Sequence, residues 1–91
     1  MDYRSRTEIV IQMLEIANGG SSYGNGGVSK TRLMYRANLS YSQLQIYLLI
    51  LIENDLLSYD GQTRTFKTAE KGISFLRAYD QIDQLMKEQE I

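Results

Sequence analysis

The chain of 91 residues contains neither cysteine nor histidine. Without Cys there is no disulfide scaffold, no thiolate set for a zinc finger and no thiol nucleophile. Without His, the commonest acid–base catalyst and most transition-metal sites are gone as well. Carboxylates remain, but they form no catalytic constellation with the other residue types present. The longest apolar run, Ile46 to Ile52, spans seven residues, against the roughly 20 that a membrane-spanning helix needs. The polar start, MDYRSRTE, predicts no secretory leader. These absences lead to the expectation of a soluble, cytoplasmic protein that is not an enzyme, with no metal, no cofactor and no membrane contact.

One further absence is local. Between Ile16 and Ile52 there is no Asp or Glu, although the formal net charge of the chain is −1. The charges in that interval are Lys30, Arg32 and Arg36. A solvated surface usually mixes both signs, and a carboxylate beside a phosphate is repulsive. A stretch with one sign only is therefore what a polyanion-docking face requires. The near-zero net charge argues the other way, since many nucleic-acid-binding domains are strongly basic. Distribution answers part of this. Residues 1–36 carry five positive and three negative charges, whereas residues 73–91 carry Arg77 and Lys87 against Asp80, Asp83, Glu88 and Glu90.

What is present reads as one domain with a small core. Ser5-Arg6-Thr7-Glu8 is a capping box opening a helix over about 6–18, with Ile9, Met13, Leu14 and Ala17 on its apolar face and Ile16 at the margin. Asn18-Gly19-Gly20 ends it, and a flexible Gly/Ser-rich loop follows up to Gly27. Ser29 caps a second, short helix over about 30–37, with Leu33, Met34 and Ala37 inward. After a turn at Asn38-Leu39, Ser40-Tyr41-Ser42-Gln43 is another capping box, opening a helix over about 41–54. Leu44, Tyr47, Leu48, Leu51 and Ile52 give that helix its inward face. Two capped helices joined by so short a turn are a helix-turn-helix signature. Leu56–Asp60 and Arg64–Thr68, separated by the Asp60-Gly61 turn signal, read as a hairpin over about 56–68, which is a wing. Thr68 is placed to cap a last helix reaching about Gln89. Within it Phe75, Tyr79, Ile82 and Met86 form a short seam, and Ile73, Leu76 and Leu85 are expected to pack on the body.

Gly24-Asn25-Gly26-Gly27-Val28-Ser29-Lys30-Thr31 has the spacing of a phosphate-binding P-loop. The motif needs glycine where Ser29 stands, so that backbone amides can curl around the phosphates, and it needs a preceding strand. A helix precedes it here, so the segment reads as a loop followed by a capped helix.

In a helix-turn-helix the first helix of the pair crosses the nucleic-acid backbone, so Lys30, Arg32 and Arg36 read either as phosphate contacts or as ordinary solvated surface charges, and the missing carboxylates favour the phosphates. The second helix presents its N-terminal residues to base edges. Here those are Ser40, Tyr41, Ser42, Gln43 and Gln45, with Gln suited to adenine and hydroxyls to phosphate or base. Ser40 and Gln43 serve equally well as cap alone. Arg64 and Lys67 in the hairpin can contact the flanking groove or backbone, or simply keep an exposed edge soluble. The belt Ile46, Leu49 and Ile50 needs cover from the last helix or a second subunit. The seam Phe75, Tyr79, Ile82, Met86 suits an antiparallel homodimer, which separates the acidic ends, the alternative being that it folds back on its own domain.

Lys30-Thr31-Arg32-Leu33-Met34-Tyr35, Asn38-Leu39-Ser40-Tyr41, Tyr47-Leu48 followed by Leu51-Ile52-Glu53-Asn54, and Thr68-Ala69-Glu70-Lys71-Gly72 together resemble the small archaeal winged helix-turn-helix proteins of about ninety residues. The resemblance covers Thr7 to about Tyr79. It implies a mainly α fold with a small β-hairpin (α+β), a winged helix-turn-helix over 1–72 and a dimerisation helix over 69–91. It further implies binding of double-stranded DNA by a nucleoid-associated, chromatin-type or regulatory homodimer, with residues 40–45 in the major groove and Arg64 in the wing. A rival reading keeps the same body as a protein-interaction module that does not use DNA. The near-zero net charge and the surplus apolar belt favour that reading.

Overall fold

A computed structural model of the chain describes residues 4–19 and 27–88. Its elements are α1 (Arg6–Gly19), β1 (Val28–Ser29), α2 (Lys30–Arg36), α3 (Tyr41–Glu53), β2 (Leu57–Asp60), β3 (Thr65–Thr68) and α4 (Glu70–Glu88). The expected glycine-rich loop lies outside the described residues except for Gly27, and so does the expected helix end at Gln89.

The capping box of α1 forms as its residue types predict. Ser5 Oγ accepts from the Glu8 amide at 3.1 Å, and the Ser5 amide donates to Glu8 Oε1 at 3.5 Å. Ile9, Met13, Leu14 and Ala17 are buried, and so is Ile11, which a one-sided reading of the helix misses. Ile9, Met13, Leu14 and Ala17 meet Leu33, Ala37, Leu39, Leu44, Leu48, Leu51, Val28, Leu57 and Phe66 in one core, of which Ile11 is not part. Met13, Leu14, Leu33, Leu44 and Leu51 are its largest fully enclosed side chains.

The hairpin is part of a three-stranded antiparallel sheet of order β1-β3-β2. The extra strand is only Val28–Ser29, with Val28 opposite Phe66 and Ser29 opposite Thr65. Two residues are too few for a period-two pattern, so nothing local marks this strand. The wing itself sets Leu57 opposite Thr68 and Tyr59 opposite Phe66. β1 can approach because residue 27 is glycine: a Cβ there would stand 2.4 Å from the Phe66 carbonyl oxygen.

Two features of α4 differ from the sequence-based expectation. The helix begins at Glu70, and the Thr68 hydroxyl donates to the Leu14 carbonyl oxygen at 2.6 Å, tying β3 to α1. Leu85 does not pack on the body; it is exposed, as are Ile82 and Met86. Leu76 packs on the core and Ile73 is half-buried, so docking on α1 and β3 rests on the first half of the helix. Beyond Tyr79 the helix has almost no cover from its own chain, in keeping with a longest dimension of 49 Å. The docked half is set by Gly72, where a Cβ would lie 2.2 Å from the Leu56 carbonyl oxygen.

Two substitutions test this framework through urea denaturation. Gly72→Ala is expected to cost about 1–3 kcal/mol by overpacking, outweighing the roughly 1 kcal/mol of helix propensity that Ala adds. Asp55 sits just past α3 with φ 59°, so Asp55→Gly is expected to stabilise by roughly 1 kcal/mol. An unchanged midpoint in either variant would contradict the corresponding contact or strain.

Candidate nucleic-acid interface

The helix pair is defined by capping at every end. Ser29 Oγ accepts from the Arg32 amide at 3.2 Å and starts α2. At the other end, Ala37 is the C-cap and Asn38 adopts φ 55°. The Leu39 amide then reaches back to the Met34 carbonyl at 3.0 Å and the Asn38 amide to Tyr35 at 3.2 Å. This is a Schellman closure, with Asn taking the left-handed position that Gly usually fills. Leu39 is buried and anchors the turn in the core.

Ser40 then starts α3. Its hydroxyl accepts from the Gln43 amide at 3.2 Å, and Gln43 Oε1 accepts from the Ser40 amide at 3.0 Å. α3 ends with the same closure, through Leu56 to Leu51 at 2.9 Å and Asp55 to Ile52 at 3.1 Å.

Arg4 completes the arrangement. Its guanidinium donates to the Ala37 carbonyl at 2.6 Å, to the Asn38 carbonyl at 3.1 Å, and to Gln12 Oε1. A cation at a helix C-terminus satisfies orphan carbonyls and complements the dipole. In the sequence Arg4 is one of the five positive charges of residues 1–36. Its carbonyl partners lie 33 and 34 residues away, so no local pattern points to them.

The first turn of α3 is exposed at Ser40, Tyr41, Ser42 and Gln45, while Gln43 is half-buried in its cap. Tyr41 is held from two sides: Lys30 Nζ lies 5.1 Å from its ring centroid, and Gln45 Nε2 donates to its hydroxyl at 2.9 Å. A cation over an exposed ring contributes about 0.5–1 kcal/mol, enough to bias the ring's position. Lys30, Tyr41 and Gln45 thus form one connected unit across the start of both helices. Arg32 and Arg36, one turn apart on α2, are exposed. Among the described residues none of Lys30, Arg32, Arg36, Arg64 and Lys67 has a carboxylate partner.

The wing divides its two cations. Arg64 has φ 56° in the hairpin turn, where Asp60 Oδ1 also accepts from the Gln62 amide at 2.9 Å. Arg64 lines an open groove of about 500 Å³ together with Lys30, Ile52, Tyr59 and Phe66. The Tyr59 and Phe66 rings, 4.8 Å apart between centroids, form part of its wall. Lys67 follows Phe66 in β3 and is exposed; strand alternation directs it to the opposite sheet face. So the fold brings Lys30 and Arg64 to one groove and leaves Lys67 outside it.

The remainder of the outer surface of α3 is apolar. Ile46 is 59% exposed and Leu49 60%, with Ile50 beside them. The main packing of α4 is on α1 and β3, and it leaves this belt uncovered. Among the described residues there is no group of three or more acidic side chains able to hold a metal ion, and no helix long and apolar enough to cross a membrane.

A compact helical body, a capped helix pair and a two-stranded wing define the winged helix-turn-helix class. A winged helix-turn-helix family model matches residues 3–87, and the chain belongs to that family. No curated protein matches it. Winged helix-turn-helix domains are typically non-enzymatic DNA-binding modules, so membership points to a DNA-binding, regulatory role.

The capping box is the local determinant of where α3 begins. Ser40→Ala is expected to lower stability by about 1 kcal/mol, read as a reduced thermal midpoint by circular dichroism. An unchanged midpoint would show the cap to be idle.

Proposed function

We propose that the chain is a DNA-binding protein of the archaeal regulatory or chromatin type, acting on double-stranded DNA as a homodimer. The observation that carries this reading is the exposed first turn of α3, bearing Tyr41, Ser42 and Gln45, beside cations of α2 that have no carboxylate partner among the described residues. Arg32 and Arg36 contact phosphates from α2, and Lys30 and Arg64 do so from the groove between α2 and the wing. Tyr41, Ser42 and Gln45 face base edges. Ser40 and Gln43 hold the helix start through the capping box, and Lys67 serves the outer face of the wing. The body over 1–72 binds, and the helix over 69–91 pairs. The seam supports the pairing: Ile82 is 60% and Met86 63% exposed, with Phe75 and Tyr79 partly so. An antiparallel arrangement covers the seam and separates the acidic ends. Such a protein works in the cytoplasm, on the nucleoid.

Fluorescence anisotropy with a labelled duplex tests binding at about 50 and 200 mM salt. Affinity is expected to fall with salt at about −0.9 in log–log slope per phosphate contact, and to be lost in Arg32→Glu/Arg36→Glu with the fold intact. Salt-independent binding would sink the phosphate mechanism. Sedimentation velocity tests pairing: Ile82→Glu/Met86→Glu is expected to convert a dimer to a monomer, whereas a wild-type monomer would exclude the seam interface.

A protein-interaction module is the second reading, and the exposed belt Ile46, Leu49, Ile50 is the observation that favours it. Under that reading the double arginine reversal leaves partner binding unchanged.

A further inference from the structure

The outer face of α3 combines a polar start with an aliphatic continuation. At about 100° per residue, the buried Leu44, Leu48 and Leu51 define the inward direction. Opposite it stand Ser42, Ile46, Leu49 and Glu53, with Gln45 on the flank at about a right angle to the core, all exposed. If Ser42 and Gln45 reach base edges, Ile46 and Leu49 must meet the same groove, because they share the face of Ser42 within the next turn. A solvated recognition face seldom carries two large aliphatic side chains at its centre, since their exposure in the free protein is unfavourable.

We propose that Ile46 and Leu49 read the 5-methyl groups of thymine in the major groove. This inference rests on the DNA-binding reading above. The 5-methyl of thymine is the apolar group that the four base pairs present in that groove, so it is the feature that gains from aliphatic contact. Three observations favour this occupant over a protein partner. The belt is continuous with Tyr41, Ser42 and Gln45 on the same helix surface. The cations Lys30, Arg32 and Arg36 stand on the preceding helix, and no carboxylate occurs from Ile16 to Ile52. Glu53 lies one turn beyond Leu49 and sets a limit, because a carboxylate is repelled by phosphate. α3 therefore enters the groove by its N-terminal and central turns, leaving its C-terminal end outside. Tyr41 and Gln45 supply polar contacts, and Ile46 and Leu49 set the preference for thymine at neighbouring steps.

The test uses two synthetic duplexes of the same alternating sequence, one of dA and dT, the other of dA and deoxyuridine. They have the same charge and the same hydrogen-bonding edges and differ only in the methyl groups. Anisotropy titration at low salt is expected to show weaker binding to the deoxyuridine duplex, by about fourfold for each methyl buried. Ile46→Ala and Leu49→Ala, both at exposed positions that leave the core untouched, are expected to erase this difference while retaining salt-dependent binding. Conversely, 5-methylcytosine in a dG·dC duplex should raise the affinity of the wild type and not of the variants. Equal, salt-dependent binding to the thymine and deoxyuridine duplexes would overturn the inference and leave DNA binding standing. No binding to either duplex would overturn both this inference and the DNA-binding reading on which it rests.

Discussion

The turn between α2 and α3 is the constraint on which the surface depends. Only residues 37–40 separate the two helices, so the angle between them is set by how their ends are closed. Asn38 in a left-handed conformation, Leu39 buried in the core and Ser40 capping α3 fix that geometry from within the segment. Arg4 fixes it from outside, by donating to the last carbonyls of α2 and of the turn. A change in this angle would move Lys30 away from Tyr41 and separate the polar turn of α3 from the cations of α2.

The chemistry of the surface follows from what the core withdraws. The core takes one face of α3 through Leu44, Leu48 and Leu51, and the cap occupies Ser40 and Gln43. Ser42, Gln45, Ile46 and Leu49 are then left to face outward. On α2, Leu33 and Ala37 turn inward and the arginines remain in solvent. The acidic groups of α4 lie on a helix whose main packing is on α1 and β3. A chain with net charge near zero can in this way present a cationic face. Polarity of arrangement matters more than the total.

Much of the fold was legible in the residues, for a common reason. Caps, turns and helix faces are written in short-range patterns, and Ser5/Glu8, Ser29 and Ser40/Gln43 all cap the helices they were expected to cap. What was not legible depends on distant partners. β1 exists because Gly27 lets Val28 and Ser29 pair with a strand some forty residues later. Thr68 had the residue type of a cap, yet its hydroxyl meets Leu14, which is 54 residues away. Leu85 belongs to an apolar pattern that its own chain does not cover. In the candidate site, the cations and the polar turn could be named from the sequence. The contact of Lys30 with Tyr41 and the division of the wing between Arg64 and Lys67 could not.

By itself the sequence determined the helices, the starts of the first three, the wing and the acid-free interval, because each depends on residue types within a few positions of one another. Tertiary structure decided which groups share a surface. It placed Arg4 on the helix turn, gathered Lys30 and Arg64 into one groove, and left Ile46 and Leu49 facing outward rather than under α4. Those outcomes depend on how α4 and the sheet dock, which is set by close approaches at Gly27 and Gly72 between segments remote in the chain.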